Sequence, residues 1–148
     1  MKLYNPLLKS SGIHMVGSPR FIAKSTRFDD FDLITLGDRI VISSNVIFLT
    51  HYYSFTTGLI AINEKPETDI GILGPIRIGN NVFVGLNSIL LPGTSIGDNV
   101  IVGAGSVVRG TIESNSVVSG NPAIKLADIV IHTEKLKRKD YLKRIDKK

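Results

Sequence analysis

Imidazole is the side chain whose ordinary pKa, about 6.5, lies nearest neutral pH. The chain holds three histidines, His14, His51 and His132. His51 stands in the stretch Phe48-Leu49-Thr50-His51-Tyr52-Tyr53-Ser54, where a regular run of apolar positions gives way to irregular sequence. A neutral imidazole at such a break could act as a general base on a hydroxyl, which is a poor nucleophile at neutral pH. Upstream, Asp29, Asp30 and Asp32 crowd together, a pattern that otherwise reads as turn formation. There is no cysteine, so disulfides, thiolate metal sites and a thiol nucleophile are excluded.

The elements that must position His51 follow from a repeat. Steps of six residues from Ile78 give Val84, Leu90, Ile96, Val102 and Val108, and steps of six from Leu36 give Ile42 and Phe48. All of these positions are apolar. The next position is glycine at Gly37, Gly79, Gly85, Gly97 and Gly103, and four residues on, small or β-branched residues dominate. A weaker run, Val16, Ile22 and Phe28, extends the spacing towards the N-terminus. A period of six fits neither an α-helix nor a plain amphipathic strand. It fits a short flat strand followed by a bend, with three such steps closing one triangular turn and apolar residues stacking inward about 4.8 Å apart. Glycine permits the bends. The reading is therefore an all-β solenoid with a short C-terminal helix or tail. On this frame His51 lies three residues past an inward Phe48, so its side chain turns outward near a corner. The rhythm stops after it and resumes at Gly74, which marks residues 52–73 as an excursion loop.

Hydrophobic residues make up 43% of the chain, which argues against disorder, and the net charge is +5. That excess is local. Residues 134–148 carry eight Lys/Arg against three acids, and the rest of the chain balances ten basic against ten acidic residues. The tail has only Tyr141 as an aromatic, so it reads as a solvated, partly helical terminus rather than a nucleic-acid module. No apolar run approaches the ~20 residues of a membrane span, and the first residues make a poor signal peptide. A cytoplasmic protein is the expectation, with 1–126 as the β-helix domain and 127–148 as the basic helix or tail.

The stretch "PIRIGNNVFVGLNSILLPGTSIGDNVIVGAGSVVRGTIESNSVVSGNPAIK" (Pro75 to Lys125) resembles the hexapeptide-repeat acyltransferases, most of all the maltose, galactoside and polysaccharide O-acetyltransferase branch. The stretch "DDFDLITLGDRIVISSNVIFLTH" (Asp29 to His51) is similar to the same branch. The resemblance covers roughly residues 16–126 and implies a left-handed parallel β-helix, although the general rule for parallel crossovers favours the opposite hand. It implies acetyl-CoA as acyl donor, with no metal, and a sugar or surface-polysaccharide hydroxyl as acceptor. It makes His51 the general base and the backbone N–H of Gly85 the oxyanion donor. Asp30 aligns with an acid on the acceptor side, where it would orient the imidazole or hold a sugar hydroxyl. Tyr52 stands where many polysaccharide acetyltransferases have aspartate, again on the acceptor side. Glu64, Glu67 and Asp69 are charged residues of the loop. The donor would meet Gly85 and the backbone at Ala104, with Arg109 and Lys125 as cations for its phosphates, or Lys135 or Lys137 of the tail in their place. Sites built from two half-sites imply an oligomer, and the resemblance implies a homotrimeric ring.

Two rival readings use the same fold. A non-catalytic β-helix scaffold would have no use for His51. A γ-carbonic-anhydrase-like zinc enzyme would need three histidines on neighbouring coils, but His14 precedes the main hexads and His132 follows them.

Overall fold

A strand of two or three residues cannot bury its apolar side chain alone and must stack on a copy of itself. The computed structural model describes residues 4–139 and Leu142. Helix α1 (Tyr4–Ser10) leads into a first coil of β1 (His14–Met15), β2 (Phe21–Ile22) and β3 (Arg27–Phe28). A 3-10 turn (Phe31–Leu33) precedes a second coil of β4 (Ile34–Leu36), β5 (Val41–Ile42) and β6 (Ile47–Phe48). The chain then leaves the stack through β7 (His51–Tyr52), α2 (Ser54–Ala61) and β8 (Ile72–Leu73). It returns for β9 (Ile76–Ile78), β10 (Val82–Val84) and β11 (Ile89–Leu90), then β12 (Ser95–Ile96), β13 (Val100–Val102) and β14 (Val107–Val108). The last coil holds β15 (Thr111–Ile112) and β16 (Ser116–Gly120), followed by β17 (Ala123–Asp128) and α3 (Ile129–Lys137).

Successive coils supply one strand each to three sheets. Sheet A runs β1-β4-β9-β12-β15, sheet C runs β3-β6-β11-β14, and sheet B runs β2-β5-β10-β13-β16 with β17 added at its end. Pairing within the stack is parallel, as at Val84↔Val102 and Leu90↔Val108. Only β16–β17 and β7–β8 pair antiparallel among the described strands. The section is thus a triangle with A–B, B–C and C–A corners. Leu36, Ile42, Phe48, Val84, Leu90, Val102 and Val108 are wholly buried, with Ile78 and Ile96 nearly so. Each contributes about 1.5–3 kcal/mol of burial, and the stacked column is the core.

The N-terminal run slips by one residue. Val16 is 71% exposed, and Met15 takes its place in register with Leu36. The spacing from Met15 to the buried Ile22 is seven residues, which throws Val16 out of the first A–B corner. The division expected at 126/127 falls inside β17, which continues to Asp128 opposite Ser116. The Asp128 carboxylate then caps α3 by accepting the Val130 N–H at 2.8 Å.

The outward faces differ. Sheet A shows His14, Thr35, Arg77, Ser95 and Thr111, which are polar. Sheet B shows Phe21, Val41, Phe83 and Ile101 in one in-register row, with both phenylalanines exposed. Sheet C turns Arg27, Ile47, Ile89 and Val107 outward in another, apolar but for Arg27 at its end.

Candidate active site

The register of β3 on β6 builds the C–A corner. Phe28 lies against Phe48, their ring centroids 4.8 Å apart, so the residues two places on, Asp30 and Thr50, meet on adjacent coils. The Thr50 hydroxyl donates to Asp30 Oδ2 at 2.6 Å, and the Asp30 N–H donates back to Thr50 Oγ1 at 3.2 Å. The same Oδ2 lies 2.8 Å from His51 Nδ1. Hydrogen bonds from Thr50 and then from His51 hold the Asp30 carboxyl below the ordinary carboxylate range. An ionised carboxylate only accepts, so neutral His51 carries its proton on Nδ1 and presents a lone pair at Nε2. Nε2 has no partner among the described residues. The two side chains are 36% and 39% exposed, which leaves the imidazole reachable from solvent.

His51 also opens the excursion. It pairs with Leu73 and Tyr52 with Ile72, while the Gly74 N–H donates to the Thr50 carbonyl at 2.9 Å, so the loop leaves and returns through one narrow neck. Tyr52 is half-buried in this pair. Its neighbour Tyr53 is the residue that faces the imidazole, ring edge to ring face, with centroids 5.8 Å apart. Gly71 leaves room for that ring, since a Cβ there would lie 3.2 Å from Tyr53 Cε1.

Gly85 and Ala104 lie at the B–C corner, following strands of sheet B, whereas Asp30 and His51 follow strands of sheet C. They occupy different edges of the same protomer. A Cβ on Gly85 would meet the Ala104 nitrogen at 2.5 Å, so Gly85 is glycine because the next coil passes this close. Its N–H is already engaged, donating to the Val102 carbonyl at 2.9 Å. An amide already engaged is a weaker donor to an oxyanion than a free one. The middle amides of this corner, those of Ser44, Leu86 and Ala104, have no acceptor among the described residues. Leu86 and Ala104 are both exposed.

Comparison with known proteins places these features. Residues 75–109 match the family described as hexapeptide repeat of succinyl-transferase. Protein CapG of Staphylococcus aureus is 39% identical over 142 residues, covering 94% of this chain and 80% of CapG. The chain belongs to the hexapeptide-repeat acyltransferases. The galactoside O-acetyltransferase of Escherichia coli (strain K12) is 34% identical over 116 residues, 78% of this chain but 54% of that enzyme, so the chain spans about half its length. A solved galactoside acetyltransferase in complex with coenzyme A shares the fold with a TM-score of 0.68 and 24% identity, over 95% of this chain and 77% of that one.

Within this hexapeptide-repeat chain the remaining expected residues are scattered. Arg109 is exposed at the C–A corner, beyond His51 along the stack, and Lys125 is exposed on β17 opposite Val118. Neither pairs with a carboxylate among the described residues. Lys135 and Lys137 end α3, and Lys137 pairs with Glu134. Lys143, Arg144, Lys147 and Lys148 lie outside the described residues. His14 sits on the outer face of sheet A and His132 on α3, away from the corner of His51. Among the described residues, no three His, Cys, Asp or Glu side chains cluster as metal ligands, and no helix is long and apolar enough to cross a membrane. Glu64, Glu67 and Asp69 line an open loop pocket of about 720 Å³ with Thr56, Ile60 and Lys65. Three features escaped the sequence reading: Thr50, Tyr53 and the Leu86 amide. The register of Phe28 on Phe48 was the available signal for Thr50, and a backbone amide leaves no signal in side-chain types.

Proposed function

We propose that this chain is an acetyl-CoA-dependent O-acetyltransferase acting on a sugar hydroxyl, free or within a surface polysaccharide. The observation that carries the reading is His51, with Nδ1 held by Asp30 at 2.8 Å and Nε2 without a partner among the described residues at the mouth of the loop. His51 Nε2 accepts the acceptor's hydroxyl proton as that oxygen attacks the thioester carbonyl, and it returns the proton to the departing thiolate. No covalent intermediate on the protein is needed. Asp30 keeps the imidazole in the productive tautomer. The oxyanion role expected of Gly85 passes to the amide of the adjacent, exposed Leu86, which has no acceptor among the described residues.

The donor fits the B–C corner chemically. Ala104 and Gly105 are exposed, and open space lies over Gly105, so a thin amide-bearing arm could lie against the backbone there. Arg109 and Lys125 would supply cations to its phosphates. Because the His51 and Leu86 edges are separate in one protomer, the reading requires a ring in which one subunit's C–A corner faces another's B–C corner. The apolar outward rows of sheets B and C suit burial between subunits of a homotrimer, and polar sheet A suits its outside. We take the coil to be left-handed, as in the family, and the location to be cytoplasmic. Tyr53, with Tyr52 behind it, would border the acceptor.

A thiol-release assay with acetyl-CoA across mono- and oligosaccharides tests the reading. His51→Ala is expected to lower turnover on a good acceptor by about 10²–10⁴-fold. Wild-type turnover in that variant would overturn the general-base assignment.

A further inference from the structure

The hydroxyl of Thr50 makes contacts that packing alone does not need. Thr50 is wholly buried. Its hydroxyl reaches a carboxylate oxygen at 2.6 Å and accepts that same residue's N–H at 3.2 Å. Together these bonds tie the Asp30 carboxylate to its own backbone through one side chain. Apart from His51, nothing else among the described residues holds that carboxylate, because Asp30 Oδ1 has no partner and the side chain is 39% exposed. Without the tie, the carboxylate could rotate into solvent, and the imidazole would lose the acceptor that fixes its proton.

We infer that Thr50 is a positioning residue for the reaction, acting through Asp30 to hold His51 as the Nδ1–H tautomer with Nε2 facing the acceptor. This rests on the reading of His51 as general base. The placement of Thr50 explains why one residue could do this. Its side chain meets the first coil at Asp30, while its carbonyl receives the Gly74 N–H where the chain returns from the excursion. The neck of the loop and the orientation of the base are therefore fixed at one point. Threonine suits both demands. The methyl fills a buried site that valine would fill equally, and the hydroxyl supplies the only group valine lacks.

Thr50→Val tests the inference. It keeps the shape and removes the hydroxyl, and the partly exposed Asp30 groups can turn to water. The expected result is a tenfold to hundredfold loss in kcat, roughly the scale of outer-shell positioning effects, with KM for the acceptor changed less than about twofold. In ¹⁵N spectra of labelled histidine, the two His51 ring nitrogens should move towards each other as the tautomers mix. Thr50→Ser should restore both the rate and the spectrum, and Thr50→Ala, if Thr50→Val folds poorly, should reproduce the loss. Unchanged ring-nitrogen shifts in the hydroxyl-free variants would overturn the inference. So would a Thr50→Ser chain as impaired as Thr50→Val, because shape would then be the cause. The spectra need no turnover. If His51→Ala keeps full activity, the base reading fails while the tautomer result still judges Thr50.

Discussion

The A–B and B–C corners are built from the same repeat but finish their backbones differently. At the A–B corner the middle amide of each turn is capped by a side chain from the next coil. The N–H of Ser18 donates to Asp38, that of Asp38 to Asn80, that of Asn80 to Asp98 and that of Asp98 to Ser114, at 2.6–3.0 Å. Beside this ladder, Asn81, Asn99 and Asn115 take left-handed backbone and pass side-chain hydrogen bonds from coil to coil. Asparagine tolerates that conformation better than most residues. At the B–C corner the turn at Asn45 and Asn87 is also left-handed. There the Asn45 N–H donates to Ser25 Oγ at 3.0 Å and the Asn45 side chain donates to Asn87 at 3.2 Å. The middle amides of Ser44, Leu86 and Ala104, however, are uncapped among the described residues. One edge of the prism spends its middle amides on side chains of the next coil, and the other leaves them without a partner among the described residues. The contrast is that side chains cap the middle amides at one corner and leave them bare at the other, which on the proposed reading is where the donor binds.

The strongest way to break this contrast is to remove one bare donor. Leu86→Pro deletes an N–H that makes no bond among the described residues. If that amide stabilises the developing oxyanion, kcat should fall by about 10²–10³, as for loss of one oxyanion donor, while thermal unfolding shows the fold intact. A folded Leu86→Pro chain with wild-type kcat would show that the bare amide takes no part.

The opposite substitution removes a cap from the structural corner. Asp98→Ala leaves the Asn80 N–H without its acceptor, on an exposed edge where water can replace it. A loss of about 0.5–1.5 kcal/mol in urea unfolding is expected, with turnover within about twofold of wild type. A large loss of activity with unchanged stability would erase the distinction between the two corners.

How much of this was legible in the sequence depends on what each feature is made of. The columns through Leu36, Ile42 and Phe48 and through Val84, Leu90 and Val108 were plain, because inward stacking leaves each position no choice but to be apolar. The first coil's register was blurred by the seven-residue step from Met15 to Ile22 and the eight-residue step from Phe28 to Leu36, which holds the 3-10 turn. The stacking of Phe28 on Phe48 that brings Asp30 to Thr50 and His51 was therefore hard to count, though its signal was present. Helix α2 was invisible in the pattern because none of its residues is buried, so no apolar stripe marks it. Tyr52 drew attention as a departure from a familiar motif, yet β7 turns it into the neck and leaves Tyr53 to the imidazole. The Leu86 donor belongs to the backbone, and only the accounting of every amide reveals it.

The third corner sharpens the contrast through pH, with the smallest expected effect. Asp30 is held below the ordinary carboxylate range by the Thr50 hydroxyl and the His51 ring, so the fold favours its ionised form. Its folded pKa therefore lies below the unfolded value of about 3.9. The stability it contributes is fully present above that value and is lost as pH falls through the lower folded one. An ion pair this exposed is worth at most about 1 kcal/mol, or about 2–4 °C in Tm for a chain of this size. Asp30→Asn should therefore melt a few degrees below wild type at pH 5, and the gap should close on acidification below about pH 4. If the gap is unchanged or widens there, the carboxylate is not the favoured form, and the C–A corner is held by packing rather than by charge.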